Sequence, residues 1–354
     1  MFNTPPFSSF EEEVKDNTKI RIAVVGVGGG GVNTVHRITN LGIKSADTIA
    51  VNTDKLHLDT TNASKKILLA PSITKGLGAG GFPEVGQKAA EMSSDALASA
   101  LEGYDLIFLT SGMGGGTGTG GAPVVAKLAK AAGALVVGIV TYPFNLERAR
   151  IKKAKWGINE LTKHCDTVIV IDNNRLVEYA PDLPMNKAFE LVDMITAKAV
   201  KGIADTIMFP SLMNIDYADV KSIMEGGGIA MISIGRASGH DKIEKVVESA
   251  LKHPLLDVSY AGAKGALVHV GSSEKLCLGD AVKIGENLTS AFDLNANVKL
   301  GARILEDFDD SIEVILIATG VKSSIIESSC GHNSESQRES VEADESFVED
   351  FAFI

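Results

Sequence analysis

The sequence predicts an α/β protein: a parallel sheet flanked by helices, then a central helix, then a second, smaller α/β domain. Three observations carry that reading. Short apolar runs recur along the chain, each ending in a glycine- or turn-rich segment and followed by a helical pattern, as in strands alternating with crossover helices. The richest such segment, residues 110–121 (TSGMGGGTGTGG), lies between the apolar run 106–109 and the helical pattern 123–130. Residues 184–204 repeat apolar side chains at Leu191, Ile195, Ala199 and Ile203, a helical face, and apolar runs resume beyond it.

Composition narrows the class. The 354 residues leave room for about two domains. A hydrophobic fraction of 45% with 22% charged residues describes a globular chain able to bury a core. The net charge of −11 argues against nucleic acid or an anionic membrane surface as the main partner. Cys165, Cys277 and Cys330 lie far apart and form no CxxC pair, which fits a reducing, cytoplasmic setting and no structural zinc. The polar, acidic start does not read as a secretory signal. No apolar run is long enough to insert into a bilayer.

Taken in order, residues 1–18 read as a flexible arm carrying Phe2, Phe7 and Phe10. The run 20–25 is a first strand. It enters the loop Gly26-Val27-Gly28-Gly29-Gly30-Gly31-Val32-Asn33, and a helix follows from about residue 34 to 41. Gly26, Gly28 and Gly31 satisfy GxGxxG, so a dinucleotide-binding oxidoreductase is a rival reading. Against it stands the second, richer glycine loop at 110–121, where a dinucleotide site needs one. There, glycines let the backbone approach a ligand, and a helix with Pro123 near its first position aims free N–H groups at the loop. With the hydroxyls of Thr117 and Thr119, that suits a polyphosphate.

The heptad Gly114-Gly115-Gly116-Thr117-Gly118-Thr119-Gly120 resembles the signature loop of the tubulin/FtsZ family, and it lacks the Lys-Ser/Thr of a Walker loop. The resemblance extends over roughly residues 19–321. It implies a Rossmann-like GTPase domain over 19–183, a central helix over 184–206 and a C-terminal GTPase-activating domain over 207–322. The first loop contributes Gly28, Gly29, Gly30, Gly31 and Asn33 to GTP binding. Asn52 and Asp54, in the Asn-Thr-Asp that ends the second strand, are further candidate neighbours, although turn and cap chemistry accounts for them as well. A third glycine loop at 76–86 resembles the family's γ-phosphate loop through Gly78, Ala79 and Gly80, and a helix follows over 87–101. In the Pro-Phe-x-x-Glu at 143–147 the resemblance places Glu147 near the ribose. The family's arginine four residues later is Ile151 here, leaving Arg148 and Arg150 as substitutes. Asn173 and Asp193 take the guanine-reading positions, an amide and a carboxylate able to pair with O6 and with N1 and N2. Phe189, one helical turn before Asp193, is placed to stack on the base.

Asn214, Asp216 and Asp219 match the family's Asn-x-Asp-x-x-Asp loop, which completes the GTP site of the next subunit. The same acids also read as a helix capping box, and both readings can hold. Beyond them, residues 226–235 open the second domain, with helices near 241–251 and 279–290 and strands at 265–270 and 312–318. Asn295, Asn297 and Arg303 fit the family's second half, and His240, His253 and His269 show no metal spacing. From Ser323 the chain is acidic and serine-rich and reads as a disordered tail. Its last residues, Phe347-Val348-Glu349-Asp350-Phe351-Ala352-Phe353-Ile354, look like a docking peptide. The resemblance therefore implies a GTPase that polymerises head to tail with itself and takes Mg²⁺ with its GTP or GDP. It implies a tail that meets a membrane-attached adaptor and a place at the division site, with cell-shape filaments as the alternative role.

Overall fold

The apolar runs become strands buried on both faces, as a parallel sheet covered by helices requires. The computed structural model describes residues 20–175, 184–209, 211–251, 258–259, 262–273, 276–305, 308 and 310–323. The first part contains β1 (Ile22–Val27), α1 (Gly28–Asn40), β2 (Asp47–Asn52), α2 (Lys55–Thr60), β3 (Lys65–Leu68), α3 (Pro71–Thr74), α4 (Pro83–Met92), α5 (Ser94–Leu101), β4 (Leu106–Gly112), α6 (Thr117–Ala131), β5 (Leu135–Tyr142), α7 (Arg148–Thr162) and β6 (Thr167–Asp172). The central helix is α8 (Met185–Met208). After it come α9 (Tyr217–Met224), β7 (Gly228–Ser238), α10 (Lys242–Leu251), β8 (Val258–Ser259), β9 (Gly265–Ser272), α11 (Leu278–Thr289), β10 (Asn297–Ile304), β11 (Ser311–Thr319) and β12 (Lys322–Ser323).

One ten-stranded sheet runs through both parts in the order β3-β2-β1-β4-β5-β6-β7-β11-β9-β10. The first six strands are all parallel. Their order reverses between β1 and β4, the topological switch point at which open α/β sheets bind ligands. The sheet does not stop where the second domain begins. β7 continues it parallel to β6 through three pairs, Thr167–Gly228, Val168–Ile229 and Ile169–Ala230, and β11 then turns the pairing antiparallel. The second region still has an apolar cluster of its own, built on Val246, Val268, Ile284, Val314 and Leu316. The central helix lays Val192, Ile195, Val200 and Ile203 in a cluster shared with strands of both regions.

Several boundaries differ from the sequence expectation. α1 begins at Gly28, inside the first glycine loop, rather than near residue 34. α6 begins at Thr117, so Pro123 lies well inside the helix and not at its first position. Packing explains this against propensity: a Cβ on Gly120 would lie 1.8 Å from the Pro83 carbonyl oxygen, so glycine is what lets α6 and α4 touch. The helix expected over 87–101 is two helices, α4 starting earlier at Pro83 and α5 separated from it at Ser93. The Ser93 hydroxyl there accepts the Ala70 N–H at 3.0 Å. The edge strands β3 and β10 and the short strands β8 and β12 were not anticipated. The flexible arm at 1–18 and almost all of the tail at 323–354, with its docking peptide, lie outside the described residues.

Candidate functional site

A cavity of about 890 Å³ opens at the C-terminal ends of the parallel strands. Each strand delivers one wall. β1 leads into Gly29 and Gly30, and β2 into Asn52 and Asp54. β4 ends in Ser111 and Gly112, β5 in Thr141 and Pro143, and β6 in Asn173. Two helix N-termini, those of α1 and α6, converge there. Neither has a side-chain N-cap, so their first N–H groups are not satisfied in that way, and such a terminus favours an anion. The closeness is enforced at Gly31, where a Cβ would sit 2.1 Å from the Thr110 carbonyl oxygen.

Of the expected GTP-binding residues, Gly29, Gly30, Asn33, Gly78, Ala79, Gly115, Gly116, Thr117, Gly118, Glu147, Arg150, Asn173, Phe189 and Asp193 line the cavity together. Gly28, Gly31, Gly80, Gly114, Thr119 and Gly120 are not in its wall. Thr119 is placed differently from Thr117. Its side chain is buried and its Oγ1 accepts the Gly114 N–H at 2.8 Å, so it closes the loop on itself. Thr117 does line the cavity, its hydroxyl 2.6 Å from that of Thr53. Between the two candidate arginines, Arg150 is in the wall and pairs with Glu147 at 2.5 Å.

The other end of the cavity has the chemistry of a base pocket. Among the described residues, the buried Asn173 has no hydrogen-bond partner for its Oδ1, an expensive state for an amide. The Asp193 carboxylate accepts a hydrogen bond from the Thr34 hydroxyl at 3.0 Å. Burial pushes its pKa up to about 6, against the opposing pull of that bond and of Arg37. Phe189 is 43% exposed and meets Phe144 edge to face, with ring centroids 5.7 Å apart, leaving ring surface open to a planar partner.

Sequence reasoning missed three contributors. Thr34 holds Asp193. Asn174 ties the segment after β5 to β6, its Oδ1 accepting the Asn145 N–H at 2.7 Å and its Nδ2 donating to the Pro143 carbonyl at 3.3 Å. His57 stands between Asn33 and Asn52 on the cavity wall. Its only sequence signal was its place three residues after Asp54, whose carboxylate caps α2 by accepting the His57 N–H.

Asn214, Asp216 and Asp219 are elsewhere. Asp216 caps α9 and forms a full capping box with Asp219, whose carboxylate also pairs with Lys299 at 2.8 Å. That helix lies under the N-terminal ends of the strands. The Tyr217 hydroxyl donates to the carbonyl of Asp105, the residue before β4, at 2.9 Å. The Thr167 hydroxyl, at the start of β6, donates to the Met224 carbonyl at 2.6 Å. β4 spans seven residues, so roughly 20 Å of strand separates the two ends.

Comparison with known proteins finds relatives over both parts of the chain. The GTPase domain of the Tubulin/FtsZ family matches residues 21–181, and the C-terminal domain of the FtsZ family matches 228–322. The chain is similar to the cell division protein FtsZ 2 of Methanocaldococcus jannaschii, with 55% identity over 86% of this chain and 80% of that one. Its identity with FtsZ 2 of Haloferax volcanii is 47%, over 96% of this chain and 85% of that one. Among solved structures, an empty FtsZ dimer from M. jannaschii superposes with a TM-score of 0.83 at 43% identity, covering 90% of this chain and 93% of that one. The CetZ2 protofilament of H. volcanii shares the fold, with a TM-score of 0.75 at 23% identity over 87% of this chain and 96% of that one.

Proposed function

The chain belongs to the tubulin/FtsZ family and is a GTPase of the cell-division cytoskeleton, and from that premise we propose that its active site is divided between two copies stacked head to tail. One observation carries the division: the GTP cavity and the Asn214–Asp216–Asp219 loop occupy opposite ends of the same parallel strands. An acid about 20 Å from the cavity cannot act within its own subunit, whereas stacking brings one copy's lower end onto the next copy's upper end. Such a heterologous contact does not close on itself and gives an open filament.

In this reading Asn173 and Asp193 select guanine, Phe189 stacks on it, and Glu147 with Arg150 stands at the ribose. The N-termini of α1 and α6, with the 78–80 loop, hold the phosphates. Asp216 and Asp219 of the next copy orient a water, whose oxygen bonds to the γ-phosphorus as the bond to the β-phosphate oxygen breaks, its proton ending on the released phosphate. Positioning and electrostatics supply the rate, as phosphoryl transfer requires. Asp54 and Thr117 line the cavity with oxygen-bearing side chains, hard donors suited to Mg²⁺. When bound, Mg²⁺ neutralises charge on the phosphates. The acidic tail, reading as an adaptor-binding segment, brings the filament to the division site. Truncation after Lys322 keeps hydrolysis and loses membrane recruitment.

Sedimentation with GTP, GDP and no nucleotide, read beside GTPase rate per subunit, tests the shared site. The rate per subunit rises above a threshold concentration at which polymer appears. A rate that stays constant on dilution far below that threshold overturns it.

A further inference from the structure

The hydrogen bonds around His57 determine where its proton sits. The Asn52 Oδ1 accepts the Thr53 N–H at 2.9 Å, which turns the Asn52 Nδ2 amide toward the imidazole, 3.5 Å from Nδ1. An amide nitrogen donates, so Nδ1 is the acceptor and the ring proton is on Nε2. Nε2 lies 2.8 Å from the Asn33 Oδ1 and therefore donates to it. The imidazole is anchored through the backbone as well. His57 is the third residue of α2, and its N–H is the one Asp54 caps.

The consequence falls on Asn33. With its carbonyl oxygen held by His57, the amide is fixed in one orientation and its Nδ2, with two donors, is the end left for a ligand. An unrestrained asparagine would present either end. Asn33 sits on α1 one turn beyond Gly29 and Gly30, between the phosphate end and Thr34, which holds Asp193. We propose that His57 is a positioning residue for nucleotide binding: by donating Nε2–H to Asn33 it fixes that side chain as a donor toward acceptor atoms of the nucleoside. The acceptor is a ribose hydroxyl oxygen or a ring nitrogen of the base. This rests on the cavity being the GTP site.

A double-mutant cycle with GTP and 2′-deoxy-GTP, measured by equilibrium binding to unpolymerised protein, tests it. His57→Leu fills the space and removes the donor. It weakens GTP binding about tenfold, in line with one lost hydrogen bond of roughly 1.4 kcal/mol. His57→Gln, which retains an N–H donor, restores binding to within about threefold. Asn33→Ala weakens binding by a similar factor, and adding His57→Leu to it changes nothing further, because His57 acts only through Asn33. The rate at saturating GTP moves much less than the apparent KM. If 2′-deoxy-GTP binds wild type more weakly than GTP and this preference vanishes in His57→Leu, the acceptor is the 2′-hydroxyl. A preference retained in the variant assigns the acceptor to another atom while the cycle still carries the claim. Additive losses in the double variant overturn it, as does a glutamine variant no better than leucine. Should wild type bind no GTP at all, the site assignment fails instead. Thermal melting of each variant separates loss of binding from loss of fold.

Discussion

The two ends of the parallel strands are built on opposite principles. At the C-terminal end, the N-termini of α1 and α6 lack side-chain caps, Asn173 holds a buried oxygen with no partner among the described residues, and Asp193 is kept in a setting that raises its pKa to about 6. At the N-terminal end the acids are satisfied by their own surroundings: Asp216 caps α9, Asp219 completes the box, and Lys299 holds Asp219. The first end leaves polar groups without protein partners among the described residues. The second is stable as it stands and can be presented intact to another subunit. The contrast teaches that acids can be held in fixed positions at no cost to their own subunit when they double as caps.

The largest effect should come from separating those two duties. Asparagine caps a helix about as well as aspartate, so Asp216→Asn is expected to leave the melting temperature nearly unchanged. It should reduce turnover by about 10²-fold or more, as loss of a transition-state group does, with monomer GTP affinity retained. Asp216→Ala should lose turnover as well and also about 1 kcal/mol of stability from the cap. Full turnover in Asp216→Asn would reduce the acid to a cap and erase the comparison.

The next effect concerns close approach at the upper end. Gly31→Ala places a methyl group 2.1 Å from the Thr110 carbonyl oxygen, so backbone has to move. A loss of about 1–3 kcal/mol is expected by analogy with overpacked cores, read from denaturant unfolding. Gly279, inside α11, has open space around its Cβ position. Gly279→Ala should be neutral or stabilising by up to about 1 kcal/mol. Equal effects at the two positions would show that the tight packing at the switch point is not what demands glycine.

These residues also show what the sequence could and could not reveal. The strands and the three glycine loops were legible because a strand buried on both faces leaves a continuous apolar run, and glycine marks a turn locally. Where α1 and α6 begin was not legible. Glycine argues against helix in isolation, and only contact with β4 and α4 makes it the residue required. β10 was missed because an edge strand exposes Asn297, Val298 and Ile304 and carries no apolar run. The continuity of the sheet through three pairs between β6 and β7 has no sequence signal at all, since neither strand's pattern names its neighbour. His57, Thr34 and Asn174 were missed for a related reason: each acts through a partner distant in sequence.

A smaller and reversible effect follows from Asp193. Burial holds its pKa near 6, so the folded protein takes up a proton there more readily than the unfolded chain. Without nucleotide, this group's contribution to stability is full at low pH and declines as pH rises from the ordinary carboxylate range to about 6. If Asp193 reads guanine as proposed, binding should run the other way, because accepting from N1 and N2 together takes both oxygens of the ionised carboxylate. GTP affinity is expected to fall about tenfold between pH 7 and pH 5, as one proton titrates, and to be weak but flat with pH in Asp193→Asn. A wild-type profile as flat as the variant's would remove Asp193 from base recognition.

The smallest expected effect is at the lower end, at Lys299. Its ammonium and the Asp219 carboxylate lie 2.8 Å apart, and this pairing is the leading reason that Asp219 stays below the usual carboxylate range. Partly exposed pairs of this kind contribute little to folding, so Lys299→Ala should hardly move the melting temperature. Its effect should appear in geometry. The box bond from the Asp216 N–H to Asp219 Oδ2 is long, 3.4 Å, and leaves Lys299 as the firmer of the two side-chain anchors on that carboxylate. Without Lys299, Asp219 gains rotamers at the surface proposed to meet the next subunit. Turnover per polymerised subunit should then drop a few-fold, an entropic cost of the size expected for one freed side chain, while monomer GTP binding does not change. Lys299→Arg, which keeps a cation in reach, should recover most of the rate. The wild-type advantage should shrink as salt rises, since screening weakens an exposed pair. An alanine variant with wild-type turnover at low salt would show that the lower end needs its acids but not their restraint.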